Sequence, residues 1–471
     1  MRIGPRQIKP ALAAALLTLG CGDDVAPPAP PGPVATVVVA PLAPAVAIDT
    51  SFQVSATARD SSGQLIPDVA VAWSSRDSTI VSVDSNGVLR GHAFGSATIT
   101  ATVNGISGSA VASVVLRWSA ISAGGTYTCG ITVTGVGYCW GSNATGQMGN
   151  NTVDLDPHPA PIKVAGTLRL AAIATSGATS GHTCALTIEG AAYCWGDNAR
   201  GELGTHDTAR ALAPVAVVSK AEFAAIAVGD THTCALSTER HVLCWGDNSA
   251  GQLGNDSVAD PLAIRTSAND QVFSSVSAGP DFTCATTPGF SSYCWGGNGQ
   301  GQLGIGGTAG SHVPVRTATA GLLTGVAAGR GAFTCAPDPS TGIDCWGVNS
   351  SGQLGRGVIS PFETTPSPVA NGAALGNVSA GLDHACAIAG SGAVWCWGAA
   401  GLLGNGGNSA SSLPVQIAAP VFVLVSAGTN HTCALTADGT AYCWGRDDLG
   451  QLGTGSAAAL VTAPAKVADH P

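Results

Sequence analysis

Charged side chains are scarce in this sequence: Asp, Glu, Lys and Arg together make up 10% of 471 residues, against about a quarter in ordinary soluble domains. Methionine occurs only twice, and long runs of Lys, Arg and Glu are absent, which argues against helix bundles. The net charge is −10 and no basic stripe is visible, so binding to nucleic acid is disfavoured. No apolar run reaches the roughly 20 residues that a membrane-spanning helix needs.

The familiar catalytic motifs are also missing. We find no Gly-x-Ser-x-Gly, no His-Glu-x-x-His and no phosphate-binding glycine loop. The sequence therefore favours a protein that is not an enzyme and carries no cofactor or metal, although dispersed residues could still converge into a catalytic site.

Glycine, in contrast, is abundant, with 64 residues, roughly twice the usual share. Together with many aliphatic and small residues, this composition indicates short strands and tight turns, and we expect an all-β chain. A chain of this length is expected to form two or more domains.

The N-terminus predicts export from the cytoplasm. Arg2, Arg6 and Lys9 form a basic head, and Ala11 to Gly20 form a short apolar core, which is the pattern of a signal peptide over residues 1–20. A polar, proline-rich stretch follows and is expected to form an extended tether over residues 21–33.

Cys21 stands directly after the apolar core. The run "LTLGC" resembles a bacterial lipobox, with Thr18 where leucine is usual. The resemblance implies that Cys21 is lipidated, that the membrane is contacted only through this lipid, and that Gly22 favours the outer membrane where a cell has one. Ordinary secretion with an unpaired Cys21 is the alternative.

Residues 34–117 contain no cysteine and alternate between apolar strands and turns such as Asn86-Gly87 and Asn104-Gly105, which predicts a β-sandwich. The run "AVAWSSRDSTIVSVDSNGVLRGHAFGSATITATVNG" resembles the bacterial immunoglobulin-like group 2 domains. The resemblance implies a spacer or adhesive module, with Trp73 in the core.

Residues 118–471 contain seven copies of one pattern, about 51 residues apart. Each copy has an aliphatic strand, a glycine turn, Cys, a second turn, Cys-Trp-Gly, a polar loop, and Gly-x-Leu-Gly or a close variant. Such a period is typical of propeller blades. The text "SAGTNHTCALTADGTAYCWGRDDLGQLG" and its relatives resemble the regulator of chromosome condensation family, in the cysteine-paired form of secreted bacterial proteins.

This second resemblance implies a seven-bladed β-propeller over residues 118–471. The closing run "APAKV", Ala463 to Val467, looks like the strand that opens each later repeat. We expect it to pair into the first blade and close the ring. The nucleotide-exchange activity of the family's founder is not expected here, because an exported acidic chain never meets that nuclear partner.

The two cysteines of each repeat are ten residues apart, which places them opposite one another across a hairpin and within disulfide range. Zinc and redox sites prefer much shorter spacings, and export supplies an oxidising compartment. Structural disulfides are favoured over free buried thiols or a metal site. The expected pairs are Cys129–Cys139, Cys184–Cys194, Cys234–Cys244, Cys284–Cys294, Cys335–Cys345, Cys386–Cys396 and Cys433–Cys443.

Three further repeated positions are interpreted as structural. The Trp after each second cysteine is expected to pack between blades. The His two residues before the first cysteine, as in His182, is replaced by Phe282 in one repeat and so is not a ligand position. The loop Asn, as in Asn198, is expected to bond to the backbone and set the turn; Asp447 stands at this position in the last repeat.

The repeats differ most after Gly-x-Leu-Gly, and loops on a rigid scaffold are where recognition usually occurs. We therefore expect a propeller that recognises a protein, with a glycan or cell-wall binder as the alternative and a hydrolase or lyase as a third class. The candidate recognition residues are Asp154, Asp156, His158, His206, Asp207, Arg210, Asp256, Asp260, His312, Arg356, Phe362 and Glu363.

Overall fold

The computed structural model describes residues 30–179, 181–256, 265–266, 268, 271–319, 321–372 and 375–469. The signal segment, Cys21 and Asp260 lie outside these residues. Within them, the chain is built from β-strands, and no helix is both long and apolar enough to cross a bilayer.

The first ten strands form an N-terminal domain of three small sheets, ordered β1-β4-β5, β2-β10-β9-β6 and β3-β8-β7. The strands are β1 (Thr36–Ala40), β2 (Ala45–Ala47), β3 (Ser51–Gln53), β4 (Ser55–Arg59), β5 (Leu65–Ile66), β6 (Ala72–Ser75), β7 (Val81–Val83), β8 (Val88–Gly91), β9 (Gly95–Val103) and β10 (Ile106–Val115).

Alternating side chains supply the core of this domain. On β9 the buried residues are Ala97, Ile99, Ala101 and Val103, as expected where one face of a strand packs inward. Trp73 is only partly buried and packs against this core from its edge. A two-residue turn of positive φ at Asn104-Gly105 joins β9 to β10, as the sequence predicts.

The remaining strands form seven four-stranded sheets in chain order, numbered here sheet 1 to sheet 7. Sheets 1 to 3 contain β11 (Trp118–Ala123), β12 (Tyr127–Thr132), β13 (Gly137–Asn143), β14 (Asp154–Lys163); β15 (Leu170–Thr175), β16 (His182–Thr187), β17 (Ala192–Gly196), β18 (Ala211–Ala216); β19 (Phe223–Val228), β20 (His232–Ser237), β21 (Val242–Gly246), β22 (Arg265–Thr266).

Sheets 4 to 7 contain β23 (Ser275–Ala278), β24 (Phe282–Thr286), β25 (Ser292–Gly296), β26 (Ser311–Arg316); β27 (Ala327–Ala328), β28 (Phe333–Asp338), β29 (Gly342–Val348), β30 (Phe362–Pro368); β31 (Leu375–Ala380), β32 (His384–Ala389), β33 (Val394–Gly398), β34 (Ser411–Gln416); β35 (Phe422–Ala427), β36 (His431–Thr436), β37 (Ala441–Asp447), β38 (Ala458–Lys466).

All seven cysteine pairs are disulfide-bonded within their own sheet. In each case the two cysteines are directly paired across the second and third strands, as Cys184 and Cys194 are on β16 and β17. Their Cα atoms lie 4.0 or 4.1 Å apart and every paired sulfur belongs to a fully buried residue. Each disulfide therefore fastens the central hairpin of one sheet.

Neighbouring sheets are joined through the tryptophan that follows the second cysteine. The indole Nε1 of Trp195 donates to the carbonyl of Gln147 on the preceding sheet at 2.9 Å, and the hydroxyl of Thr183 donates to the same carbonyl. Every indole of this series makes an equivalent bond, so the expected packing role between sheets is confirmed. The other pairs are Trp140–Gln451, Trp245–Glu202, Trp295–Gln252, Trp346–Gln302, Trp397–Gln353 and Trp444–Leu402.

The last glycine of each Gly-x-Leu-Gly lies beneath the indole of the next sheet. Gly304 has a φ of +67°, and a Cβ added there would lie 2.6 Å from Nε1 of Trp346. Gly306, two residues on, has a φ of +87° but open space around it. Substituting these two glycines by alanine therefore distinguishes two effects. Both substitutions strain the backbone, but only the one at Gly304 also crowds an indole.

We expect Gly304→Ala to lower the free energy of unfolding by about 1 to 3 kcal/mol more than Gly306→Ala, because both changes strain the backbone but only the first displaces an indole. Urea unfolding of both variants measures the difference. Equal losses in the two variants would contradict the packing role of Gly304.

The prediction that the C-terminal strand pairs into the first blade and closes the ring is wrong. Ala463 to Val467 do not enter sheet 1, because β38 pairs with β37 and forms the fourth strand of its own sheet. The Pro-Val stretches of the other repeats, such as β18 and β26, do the same. Sheet 7 instead meets sheet 1 through the usual bonds, in which Trp140 and Thr128 both donate to the carbonyl of Gln451.

The N-terminal domain contacts the hairpin end of sheets 1 and 7. Ile48 and Phe94 pack against a cluster that contains Leu116 and Trp118. The backbone N–H of Trp118 donates to the carbonyl of Gly439, in the central hairpin of sheet 7. The N-terminal domain therefore lies at the hairpin end of these sheets, away from their opposite end.

Candidate recognition face

The candidate loops lie at the end of the propeller opposite the central hairpins. Successive connections of an antiparallel sheet alternate between its two ends. The inner turns, between first and second strands, therefore share one end with the outer loops, between third and fourth strands. Hydrogen bonds join the two sets, as when Asp197 N donates to Gly181 O and Asp247 N donates to Thr231 O. We call this end the loop face.

A buried asparagine organises each of several outer loops. In sheet 2, Oδ1 of Asn198 accepts the N–H of Leu203, while Nδ2 donates to the carbonyls of Asp207 and Ala209 at 3.1 and 3.0 Å. Asn298 makes the same set of bonds in sheet 4. The interpretation of this asparagine as a turn-setting residue is confirmed.

Asp447 replaces this asparagine in sheet 7 and fits less well. Its Oδ1 accepts the N–H of Leu452, but Oδ2 is buried without a partner among the described residues. Burial raises the pKa of this carboxyl to about 6, against the smaller lowering effect of the nearby backbone N–H groups of Leu452 and Ala458. The folded state therefore favours the protonated acid, and stability from this group is lost as pH rises through about 6.

We expect Asp447→Asn to raise the free energy of unfolding by about 1 to 3 kcal/mol at pH 7, because the amide restores a donor and removes a buried charge. The gain should shrink toward pH 4, where the wild-type carboxyl is protonated. Chemical denaturation at both pH values tests this, and Asn298→Asp is the matched reverse change. A gain that is independent of pH would contradict the assigned cause.

In sheets 1 and 2 the candidate residues divide into bonded and exposed groups. Asp154 contacts His158 at 2.6 Å, so this pair is internally satisfied. Asp207 accepts bonds from Asn198 and Thr205, which use its carboxylate to shape the loop. The exposed candidates are Asp156, His206 and Arg210.

In sheets 3 to 5 the pattern is similar. Asp256 is exposed and has a φ of 53°. The ring of His312 lies over Gly251 of the preceding sheet, where an added Cβ would approach it to 2.7 Å. Arg356 and Glu363 pair at 3.3 Å beside the exposed Phe362.

Of the described candidates, only Asp154 with His158 and Arg356 with Glu363 form ion pairs with each other. The others are distributed over five sheets, along the outer loops or at the starts of the fourth strands. They do not make one compact site.

The inner turns carry functional groups that the sequence interpretation missed. Asp230, Asp281 and Asp383 occupy these turns, and burial raises the pKa of each. Arg330 lies in the inner turn of sheet 5. The signal for these residues was their position one or two residues after the glycine that follows the first strand of a repeat, and the extra length of the second repeat.

No group of three or more His, Cys, Asp or Glu side chains is arranged to hold a metal ion in the part of the chain that the structure describes.

Comparison with known proteins adds the family context. Models of the regulator of chromosome condensation (RCC1) repeat match residues 223–252 and 422–451, and also 189–236 and 391–435. The bacterial Ig-like domain (group 2) matches residues 33–114. The chain contains RCC1 repeats and a bacterial Ig-like domain. These matches indicate no enzyme family.

Solved structures agree on the propeller. Human WBSCR16 is 21% identical, with a TM-score of 0.64 over 70% of this chain and 93% of its own. Prp20p of Saccharomyces cerevisiae, studied for its binding to Gsp1p and histones, is 21% identical, with a TM-score of 0.57 over 66% of this chain and 80% of its own. The expected all-β propeller with an N-terminal immunoglobulin-like domain is confirmed.

Among curated proteins, the E3 ubiquitin-protein ligase HERC2 of Homo sapiens and of Mus musculus is 32% identical over 105 residues, or 22% of this chain. The chain spans only 2% of the length of these relatives. The similarity to these relatives is therefore limited to a short stretch of the chain.

Proposed function

We propose that this protein is a non-enzymatic, exported binding protein whose propeller recognises a protein partner through the loop face. The observation that carries the proposal is the position of this face. Its variable loops are held by buried asparagines at the end of the propeller opposite the immunoglobulin-like contact. Rigid support with variable loops is the usual design of a recognition surface.

The solved neighbours support a protein as the partner. Prp20p binds Gsp1p and histones, and yeast RCC1 (Prp20), which has a TM-score of 0.61 and 19% identity over 72% of this chain and 84% of its own, was solved bound to Kap60. Those partners belong to those proteins. What transfers to this proposal is that a propeller of this fold presents a surface to other proteins.

Seven buried disulfides support an oxidising compartment. We propose that a lipid on Cys21 tethers the protein at the cell surface or in the periplasm, on the outer membrane where there is one, and that the immunoglobulin-like domain acts as the spacer. Intact mass of the membrane fraction should show the lipid, and Cys21→Ser should release the protein into the aqueous phase. Aqueous behaviour of the wild type would contradict the tether.

Pull-down from extracts of neighbouring or host cells tests the recognition face. We expect the wild type to capture a discrete polypeptide, and we expect the combined variant Asp156→Ala, Arg210→Ala, Phe362→Ala to capture at least about tenfold less. All three residues are exposed on the loop face. The matched control changes exposed residues in the central hairpins, Val133→Ala, Ile188→Ala and Phe290→Ala.

The outcomes separate the classes of function. Loss in the loop-face variant with retention in the hairpin variant supports the proposal. Loss in the hairpin variant alone places recognition on the opposite face. Binding to a sugar array without any captured polypeptide indicates a glycan binder instead.

A further inference from the structure

The first strands of sheets 2 to 7 line a central channel. One cavity of about 210 Å³ is walled by the ends of these strands nearest the loop face, including Ala174, Ala278 and Ala380. A second cavity of about 390 Å³ is walled by the beginnings of the same strands in sheets 4 to 7. The two cavities share Ala327 and adjoin along β23, β31 and β35. They form one continuous path toward the hairpin end.

The loop-face end of this channel is covered by the inner turn of sheet 2. Six residues, 176–181, separate β15 from β16, whereas three residues separate the corresponding strands of sheets 3 and 4, at 229–231 and 279–281. The described part of this turn is 176–179 and 181. It is bonded to sheets on several sides of the ring. Ser176 O accepts from Gly125 N of sheet 1, Ser176 Oγ donates to Asp230 O of sheet 3, and Gly177 O accepts from Thr429 Oγ1 of sheet 7.

Arg330 fills the remaining space beneath this cover. Its side chain starts on sheet 5 and runs over Gly177, where an added Cβ would lie 2.9 Å from Cδ of Arg330. Its Nη1 donates to Val228 O, and its Nη2 donates to Ala123 O and Thr175 Oγ1. The side chain also lines the upper cavity. The covered end of the channel therefore carries a cation.

The charge of Arg330 lacks a carboxylate in contact. No ion pair at or below 4.0 Å involves Arg330 in the described ranges. Asp230 acts on it from farther away, and burial lowers the pKa of the guanidinium. Three of its five N–H groups are bonded to neutral oxygens. A partly buried guanidinium with spare donors favours an anionic partner.

Hydroxyl groups stand on the wall beside this cation. Ser277, Ser379 and Ser426 line the upper cavity, and each oxygen accepts a backbone N–H from the next sheet. Each hydroxyl still carries its own proton, which it can donate into the cavity. The lower cavity is more apolar. Its wall contains Val326, Val378, Val423, Leu424 and Pro337, together with the polar side chains of Ser275 and Asn377.

We propose that the central channel binds an aliphatic carboxylate, with the carboxylate at Arg330 and the serine hydroxyls, and the hydrocarbon tail along the apolar lower wall. The polarity of the pocket changes along its axis in the same order as in such a molecule. Val423 lines the lower cavity and is 54% exposed, so the cavity is accessible from the hairpin end. The site is therefore separate from the loop face and does not depend on the proposed protein partner.

Calorimetric titration of the full chain with octanoate tests the site. We expect a dissociation constant below about 1 mM for octanoate and at least about tenfold weaker binding of octanol, which has the tail without the charge, and of acetate, which has the charge without the tail. Arg330→Met should weaken octanoate binding at least about tenfold. Because Arg330 also ties four sheets together, circular dichroism must first show that this variant is folded.

A second variant leaves the cation in place. Val423 is 54% exposed and lines the lower cavity, whereas Val421 is 64% exposed and does not line it. Val423→Glu should therefore repel octanoate and weaken it about tenfold, while Val421→Glu should bind like the wild type. Equal affinity for octanoate and octanol, no octanoate binding up to about 1 mM, or equal losses in both glutamate variants would overturn the proposal.

Discussion

At pH 5 the protein is expected to lose on the order of 8 kcal/mol of stability, relative to neutral pH, through four buried histidines. His182, His232, His384 and His431 are fully buried. Burial lowers the pKa of His182 and His431 to about 3 and of His232 and His384 to about 4. The unfolded chain binds these protons below about pH 6.5. Stability is therefore lost as pH falls from about 6.5 toward the folded values.

The hydrogen bonds explain why these rings stay neutral. Nε2 of His182 contacts the hydroxyl of Thr233 at 2.8 Å, and that hydroxyl already donates its proton to the carbonyl of Glu202. Nε2 must therefore carry the ring proton. Nδ1 is buried without a partner in the described structure, so a second proton there would find no acceptor.

Phenylalanine is the matched replacement, because Phe282 and Phe333 already occupy this position in sheets 4 and 5. We expect each His→Phe change to recover about 2 kcal/mol at pH 5, and the fourfold variant to recover nearly all of the histidine loss. Carboxyl groups with a raised pKa, such as Asp447, gain stability as the pH falls and so offset part of the loss caused by the histidines. This contribution is the same in the wild type and in the His→Phe variants. Denaturant titrations measure the free energy of unfolding at pH 7 and at pH 5. If this free energy changes by the same amount between the two pH values in wild type and variant, the prediction is contradicted.

Loss of all seven disulfides is expected to unfold the propeller at ambient temperature. Each one closes a loop with a sequence separation of ten, which contributes about 2 to 3 kcal/mol by restricting the unfolded chain. The combined contribution of about 14 to 21 kcal/mol is as large as or larger than the roughly 5 to 15 kcal/mol by which domains are normally stable. A single Cys184→Ala, Cys194→Ala pair should cost only about 2 to 3 kcal/mol.

Reduction followed by alkylation and mass measurement tests this prediction. The sulfurs are buried, so dithiothreitol should react only slowly until mild urea opens the sheets. Tryptophan fluorescence then follows the propeller, whose indoles lie between sheets. A fully reduced and alkylated protein with the fluorescence of the native protein would contradict the expected role of the disulfides.

Much of this architecture was predictable because the sequence contains seven copies of the repeat, so that a residue's position could be compared between copies. Spacing alone placed Cys184 opposite Cys194, and recurrence alone indicated that the tryptophans pack between sheets. The closing strand was mispredicted because Ala463 to Val467 resemble the start of a repeat in sequence, whereas the structure places such stretches at the end of a sheet. Sequence order does not reveal which neighbour a strand pairs with.

The channel could not be predicted in the same way. Arg330 and Gly177 are 153 positions apart in the chain, and only the ring brings them together. The three extra residues of the second inner turn were visible as a longer repeat. Their function as a cover became clear only from their bonds to Gly125, Asp230 and Thr429. Contacts of this kind depend on the curvature of the whole ring.

The bonds between sheets 7 and 1 also constrain when the protein can fold. Trp140 and Thr128 reach their acceptor on Gln451 across 311 and 323 residues of sequence. A chain that is still being synthesised contains the residues of sheet 1 long before it contains those of sheet 7. Until then the indole of Trp140 has no acceptor and one edge of the assembly stays open. Closing a loop of this length is a late and slow event, so the ring is completed only after the last repeat has been synthesised.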